Sequence, residues 1–416
     1  MAKIIPFTGI RPTKDKVHLV ASRAVDGYNT TDLHSKLREN PYTFLHIINP
    51  DFEDGTKSRP GSPERLHKIK QKFINFNNDG IFQKDNRPSY YVYTQIKNRT
   101  SFTGIIGCCS IDDYYNGVIK IHEQTLTERE HKLMKYLEVC DFNAEPVLFC
   151  YPDHQSINAI TEKIITYTPD YNFTTTDKVQ HKLWLVDNPV LTELIQKHFE
   201  SIPAIYIADG HHRSASSALL GKTKRNQNPN YKGDEAFNYY LGVFFPESQL
   251  KIYDFNRLVK DLNGLSSIEF IDKLKYHFDV KESVEHLPKP KQKHEFVMYL
   301  NGKWYDLVLK REYINDANPV DSLDPALLTK YILSPILDIH DLKTDKRISF
   351  INGTRGMQEL KKQVDNGKNA VAFGLYPVSM DQLKQIADTN NIMPPKSTWV
   401  EPKMRSGLVI YSLSNL

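Results

Sequence analysis

The most informative local pattern in this chain is Tyr206-Ile207-Ala208-Asp209-Gly210-His211-His212-Arg213. The apolar run from Ile202 to Ala208 predicts a buried strand that ends where the polar residues begin. Gly210 predicts a sharp turn there, because only glycine reaches positive φ at no steric cost. The small residues after Arg213 predict a helix, and Gly221 is a natural end for it. The stretch therefore predicts a strand, a turn and a helix in immediate succession.

The predicted turn joins imidazole, guanidinium and carboxylate groups to the first amides of a helix. Those amides have no partner inside the helix, and the helix dipole favours negative charge beside them. Arg213 adds a planar fork of donors that matches phosphate or carboxylate. We predict an anion site formed by Gly210, His211, His212, Arg213 and Ser214. The alternative is a capped turn whose histidines bond to nearby carbonyl groups.

The composition is that of an ordinary globular protein without a strong charge. Of the 416 residues, 40% are hydrophobic and 25% are charged. The net charge of +4, from 54 basic and 50 acidic side chains, is too small to indicate a nucleic-acid partner. The N-terminus lacks the apolar core of a signal peptide, and no apolar run reaches membrane-spanning length. We therefore expect a cytoplasmic protein that does not bind membranes, and the net charge does not favour a nucleic-acid partner.

The cysteines argue against a zinc site and against a disulfide scaffold. Cys108, Cys109, Cys140 and Cys150 show no paired C-x-x-C spacing. A reducing compartment fits this pattern.

A second polar motif, His122-Glu123-Gln124-Thr125, also follows a predicted strand, which begins at Gly117. A predicted helix begins at Thr127, and Thr127 and Glu130 have the spacing of a capping box. Glu123 thus occupies a strand-to-helix junction, as the Asp209–Arg213 stretch does. It is predicted either as a general base or as a solvated or capping carboxylate.

A basic segment follows Gly221, with cations at Lys222, Lys224, Arg225 and Lys232. Contact with nucleic acid is one interpretation, and a lid that closes over a phosphate is another. Because Tyr231 is the only aromatic residue among these cations, we favour a solvated loop.

Met393-Pro394-Pro395-Lys396-Ser397-Thr398 opens an unusual C-terminal tail. The prolines hold the chain extended, while two lysines, Lys396 and Lys403, remain available to a phosphate. We predict Lys396 as the phosphate ligand. The alternative is that this tail is only a rigid strand that crosses the surface, and we slightly favour that interpretation.

The order of predicted elements gives a mixed α/β fold, of the α+β kind, in three regions. These regions are 1–116, 117–257 and 258–416. In the first, Phe44 to Ile48 is predicted as an apolar strand. Tyr239 to Phe245 and Leu250 to Phe255 are predicted to pair as a hairpin.

Three motifs in this order resemble a bacterial and archaeal domain-of-unknown-function family, number 1015. They are Asp209-Gly210-His211-His212-Arg213, His122-Glu123-Gln124-Thr125 and the Met393–Thr398 tail. The resemblance runs nearly end to end. The family's early Pro-Pro-Tyr-Asp-Val-like signature is degraded here to Arg23-Ala24-Val25-Asp26-Gly27-Tyr28.

Gly210-His211-His212-Arg213 also resembles, more distantly, the Gly-x-x-Arg box of ParB partition proteins, sulfiredoxin and free-serine kinases. That resemblance implies a nucleotide-binding core of the ParB/sulfiredoxin type over 117–257, flanked by the other two α/β regions. The free-serine kinases carry an Asp-Gly-His-x-Arg version, which is closer to this sequence. Sulfiredoxin's cysteine is replaced here by His211, which disfavours a sulfinic-acid reductase.

The resemblance implies a Mg²⁺-dependent phosphotransferase that uses ATP or ADP and interconverts L-serine and O-phosphoserine. The catalytic residues would be Glu123 as the base, Asp209 as the Mg²⁺ ligand, and His211 and His212 as donors to phosphate oxygens. Arg213 would bind the phosphates with the neighbouring amides.

Several other functions remain open at this point. One is a phosphatase acting on phosphoserine or another phosphomonoester, and another is a nucleotide-binding regulator without turnover, as partition proteins are. A metal hydrolase built on His122, Glu123, His211 and His212 is a third. The sequence does not indicate an oligomeric state.

Overall fold

A computed structural model describes residues 1–53 and 55–414 of the chain, and these form a mixed α/β fold, as predicted. The strands are β1 (Ile4–Ile5), β2 (Ile10–Pro12), β3 (Phe82–Lys84), β4 (Tyr90–Lys97), β5 (Thr100–Ser110), β6 (Ile119–Lys120), β7 (Phe142–Asn143), β8 (Val147–Tyr151), β9 (Tyr171–Thr174), β10 (Gln180–Val186), β11 (Ile205–Asp209), β12 (Tyr239–Pro246), β13 (Lys251–Tyr253), β14 (Phe255–Val259), β15 (Phe278–Glu282), β16 (Glu295–Leu300), β17 (Lys303–Leu309), β18 (Ile348–Asn352), β19 (Val371–Leu375), β20 (Trp399–Glu401) and β21 (Tyr411–Ser412). The helices are α1 (Val17–Val20), α2 (Thr30–Glu39), α3 (Leu45–Ile48), α4 (Pro63–Asn78), α5 (Ile111–Tyr115), α6 (Thr127–Cys140), α7 (Gln155–Ile164), α8 (Pro189–Glu200), α9 (His211–Gln227), α10 (Ser267–Leu274), α11 (Asp324–Leu328), α12 (Gly356–Asp365) and α13 (Met380–Asp388). Within the described residues, no helix is both long and apolar enough to cross a membrane.

The chain divides into two compact units. The first contains Met1–Leu250 together with the segment that begins at Pro402, and the second is Lys251–Glu401. This division differs from the three regions predicted from the sequence. The reason is that β4 and β5, which precede residue 117, lie in the same sheet as β8, β11 and β12.

The first unit is built on a large mixed sheet with the strand order β6-β11-β8-β12-β5-β4-β10-β9, and β1 pairs with β5. Every residue of the central strand β12 is buried, as expected for a strand covered on both faces. Aromatic and branched side chains of β8, β11 and β12 fill the core, among them Phe149, Ile207 and Phe244. This packing fixes the position of β11.

Strands β6 and β11 are parallel neighbours at one edge of that sheet. Ile205 lies opposite Ile119, and Tyr206 lies opposite Lys120. The carboxyl ends of the two strands therefore face the same way, which brings the residues after Lys120 close to those after Ala208. The predicted strand from Gly117 is present only as the short β6.

Helix α9 does not end at Gly221, so that prediction was wrong. The helix continues for six more residues to Gln227 and includes the first part of the basic segment. A Cβ atom at Gly221 would lie 2.4 Å from Ile111 Cδ1 and 2.5 Å from the carbonyl oxygen of Phe237. Glycine is required here for close packing inside a helix and not for a turn.

Three further local predictions were wrong. The apolar run at Phe44–Ile48 contains helix α3 instead of a strand, because a short apolar run fits a buried helix equally well. The capping box at Thr127 is absent, since α6 is capped at Leu126 and the Glu130 carboxylate accepts a hydrogen bond from Thr125. The hairpin after Tyr239 is also absent, because β12 pairs with β5 and β8 while β13 pairs with β20.

The second unit contains an antiparallel sheet with the order β15-β17-β16-β19-β14-β18. Helix α12 places Met357 and Leu360 against one face, where they meet Leu258 and Tyr299. Side chains of α10 and α11 cover the other face and pack against Val259 and Phe373.

Acid should destabilise this fold, because the first unit buries histidines in their neutral form. Burial, together with the cationic Arg405 nearby, lowers the pKa of the fully buried His181 imidazole to about 3. The unfolded chain binds this proton near pH 6.5, so unfolding takes up a proton at any pH between the two pKa values. The free energy of unfolding should therefore fall by about 1.4 kcal/mol for each pH unit below pH 6.5 from this residue alone.

The His181→Asn variant tests this by urea unfolding between pH 7 and pH 4.5. His181 Nδ1 bonds to the Tyr93 hydroxyl at 2.7 Å, and an asparagine amide can replace that contact without titrating. The variant is expected to be less stable overall. The slope of its free energy of unfolding against pH should be smaller, because unfolding takes up about one proton fewer. An unchanged slope would contradict the prediction.

Candidate functional site

The turn between β11 and α9 depends on glycine for two reasons. Gly210 is the N-cap of α9 and has φ 100° and ψ 31°, a left-handed conformation that side chains disfavour. A Cβ atom there would also lie 3.0 Å from Arg213 Nη2. The turn therefore lets the guanidinium fold back over the start of its own helix.

The first internal hydrogen bond of α9 runs from the Ser214 amide to the Gly210 carbonyl at 3.0 Å. The amides of residues 211–213 precede that bond, so they are the ones available to an anion at the helix start. The Ser214 side chain is fully buried, and its hydroxyl lies 2.6 Å from the Tyr240 hydroxyl. Both polar groups of Ser214 are thus engaged inside the unit, in contrast to the phosphate contact predicted for this residue.

Asp209 lies between two cations at the end of β11. Its Oδ2 atom is 3.6 Å from Arg213 Nη2 and 3.4 Å from Lys403 Nζ. Arg213 is anchored separately, because its Nη1 donates to the Pro146 carbonyl at 2.5 Å. The Asp209 side chain is 42% exposed, so this charged cluster is open to solvent.

His122 and His211 bring the two sequence motifs into direct contact. Both side chains are buried, and their rings meet edge to face with centroids 4.4 Å apart. The His122 amide donates to His211 Nε2 at 3.4 Å. His211 Nδ1 lies 3.6 Å from Glu123 Oε2. The end of β6 and the start of α9 therefore form one site.

The contacts of His211 determine which of its nitrogens carries the proton. A backbone amide can only donate, so Nε2 must accept and the proton of the neutral ring is on Nδ1. Burial lowers the pKa of His211 well below its usual value, and the neighbouring His122 and His212 lower it further. Burial also lowers the pKa of His122 to about 4. His211 is therefore neutral near pH 7 and directs its Nδ1–H towards Glu123.

A ring with its proton on Nδ1 can still donate a hydrogen bond, and the role of His211 as a donor to phosphate oxygens stays a prediction. Glu123 lies three residues after the end of β6, and its side chain is 55% exposed, so a small molecule can reach it. His211 Nδ1 approaches that carboxylate from the buried side. His212 follows at the helix start and is partly buried.

The two lysines of the C-terminal tail have separate surroundings. Lys403 belongs to the first unit and reaches Asp209. Lys396 belongs to the second unit, is exposed, and lies 5.5 Å from the centre of the Phe255 ring. The sequence offered both lysines and we predicted Lys396, whereas the contact of Lys403 is with a residue 194 positions away, which a local pattern does not indicate. The contribution of Lys396 to phosphate binding stays a prediction.

Metal binding at this site would depend on few protein ligands. Among residues 1–53 and 55–414, no group of three or more His, Cys, Asp and Glu side chains is arranged to hold a metal ion. The metal-hydrolase hypothesis required the two strand ends to be adjacent, and His122 and His211 do lie in contact, so this hypothesis stays a prediction that metal analysis of the purified protein would test. Mg²⁺ commonly binds through one or two carboxylates with substrate phosphates and water, and the half-exposed Asp209 fits that pattern.

Comparison with known proteins assigns the chain to a family. It belongs to the family described as protein of unknown function (DUF1015), which it matches over residues 4–326. No curated protein sequence matches it.

Several solved structures resemble the chain weakly. A mutant of free serine kinase in complex with AMP is 13% identical with a TM-score of 0.38, and the match covers 72% of this chain and 90% of that one. SbnI with a C-terminal truncation from Staphylococcus aureus is 12% identical with a TM-score of 0.40, covering 73% and 85%. A conserved hypothetical protein from Pyrococcus furiosus is 12% identical with a TM-score of 0.37, covering 76% and 97%. Similarities of this strength assign no activity.

Proposed function

We propose that this member of the DUF1015 family is a phosphotransferase that moves a phosphoryl group between a nucleotide and a small hydroxylated metabolite. One observation carries the proposal: two carboxylates lie beside residues of the first turn of α9, Asp209 between two cations and Glu123 near the neutral His211. Phosphoryl transfer requires positioning and charge neutralisation, which such a group of residues can supply.

In this proposal the nucleotide phosphates bind at the start of α9. The amides of residues 211–213 and the Arg213 guanidinium donate hydrogen bonds to phosphate oxygens. Arg213 keeps its bond to the Pro146 carbonyl, which holds the guanidinium in place. His212 is proposed as a further donor at the same helix start.

Mg²⁺ is proposed as the metal, with Asp209 as its protein ligand and ATP or ADP as the phosphoryl donor. Held by Asp209, the ion would supply positive charge that neutralises the phosphates. Mg²⁺ commonly binds proteins through one or two carboxylates together with substrate phosphates and water, which is compatible with this role for Asp209.

Glu123 is proposed as the general base. It accepts the proton of the acceptor hydroxyl while that oxygen forms its bond to phosphorus and the bond to the leaving nucleotide oxygen breaks. His211 donates its Nδ1–H towards the carboxylate and so holds Glu123 in a position to receive the proton. The acceptor is proposed to be L-serine, on the resemblance of the Asp209–Arg213 box to that of free-serine kinases.

Transfer to an amino acid can be measured directly by phosphorus NMR. The full chain would be incubated with Mg²⁺, with ATP, ADP or pyrophosphate as donor, and with a panel of hydroxylated amino acids. We expect a new phosphomonoester signal in the presence of serine and a nucleotide. Nucleotide binding without a phosphorylated product from any acceptor would contradict the proposal and favour a regulatory protein. Release of inorganic phosphate from O-phosphoserine without a nucleotide would indicate a phosphatase instead.

A further inference from the structure

The segment that begins at Pro402 is an integral part of the first unit and carries a cation into the site. Gln95 Nε2 donates to the Lys403 carbonyl at 3.0 Å. Ser406 and Ser22 exchange backbone hydrogen bonds of 2.8 and 3.2 Å. Strand β21 then pairs with β7. The backbone of Lys403 is therefore held in place, and the side chain is the part that can move.

Arg405, two residues further on, has a different task. Its Nη2 atom lies 2.9 and 2.7 Å from the two carboxylate oxygens of Asp177, and its side chain is only 6% exposed. The ion pair of the buried Arg405 with Asp177 anchors the segment that begins at Pro402. The Lys403 side chain is 34% exposed and extends to the open carboxylate of Asp209. Only the lysine is thus placed to meet a ligand from solvent.

The charges around Asp209 favour an arriving anion. Arg213 and Lys403 place two positive charges beside the Asp209 carboxylate. The Arg213 guanidinium is also tied to the Pro146 carbonyl, whereas Lys403 has a flexible stem and a compact charge. When an anion enters, Lys403 is therefore the cation that can change partner with little cost.

We propose that Lys403 binds the terminal phosphate of the nucleotide, exchanging its contact with Asp209 for a contact with that phosphate. The exchange would remove one cation from Asp209, the proposed metal ligand, when the nucleotide binds. This inference rests on the proposed nucleotide site, and it adds a phosphate-binding residue from a part of the chain beyond the family match.

The test compares Lys403→Met and Lys403→Arg with Lys163→Met, a control at an exposed lysine of α7 in the same unit. Isothermal titration calorimetry would measure the binding of AMP, ADP and ATP without requiring turnover. Loss of a charged hydrogen bond should weaken ADP and ATP binding by Lys403→Met about 10- to 100-fold. AMP binding should hardly change, because AMP ends at the α-phosphate and lacks the β- and γ-phosphates that Lys403 is proposed to contact. Lys403→Arg and Lys163→Met should stay within a few-fold of the wild-type chain.

Three results would overturn the assignment of Lys403. They are unchanged ADP and ATP affinity in Lys403→Met, an equal loss for AMP, and absence of nucleotide binding by the wild-type chain. Near-ultraviolet circular dichroism checks that each variant remains folded, which is expected because the Arg405 anchor is retained. If the ADP-specific loss appears but no acceptor is phosphorylated by the wild-type chain, the Lys403 assignment holds and the proposed phosphotransferase activity fails.

Discussion

The Glu123→Gln variant is expected to lose phosphoryl transfer by about 10²- to 10⁴-fold while binding nucleotide as tightly as the wild-type chain. Glutamine has the same shape as glutamate but cannot accept the proton of the acceptor hydroxyl. The side chain is 55% exposed, so the substitution leaves no buried group without a partner. Initial rates of phosphoserine formation and calorimetric titration with ADP measure the two quantities separately.

Glu128→Gln is the matched control for this experiment. Glu128 lies in the first turn of α6, five residues further along the chain, and its carboxylate pairs with Lys132 at the surface. The control should retain the wild-type rate. If Glu123→Gln also retains it, Glu123 is not the base, and its contact with His211 has a structural role only.

The Asp209→Asn variant is expected to lose Mg²⁺-dependent turnover by about 100-fold or more, because the metal loses its charged protein ligand. Nucleotide affinity should stay the same or increase. Arg213 and Lys403 would no longer be neutralised by the carboxylate, so both charges would act on the phosphates. A rate measured against Mg²⁺ concentration, together with an ADP titration, distinguishes this pattern from a general loss of structure.

Asp187→Asn provides the control for Asp209, since Asp187 is an exposed carboxylate of the same unit, 4.0 Å from Arg87. It should leave both the rate and the Mg²⁺ dependence unchanged. Weaker nucleotide binding in Asp209→Asn would argue that Asp209 organises the turn itself. Full activity in that variant would remove Asp209 from the mechanism.

The local pattern of the sequence was sufficient to predict strand β11, the turn at Gly210 and the start of helix α9. The apolar run before Asp209 forms β11, Gly210 adopts the left-handed conformation, and α9 begins at His211. These predictions depend on backbone sterics and side-chain periodicity, which act over a few residues. Gly221 was misjudged for the opposite reason, because its role depends on Ile111 and Phe237, which the local pattern does not include.

The sequence shows which chemical groups follow β6 and β11, and it is enough to predict an anion site at the start of α9. Only the tertiary structure decided how they meet. His211 contacts His122 across 89 positions, and Lys403 reaches Asp209 across 194. These contacts set the His211 tautomer and bring Lys403 to Asp209. Strand pairing and core packing bring segments together that are distant in the chain. The contact of Lys403 with Asp209 therefore cannot be predicted from the residue type of Lys403 or from its spacing to neighbouring residues.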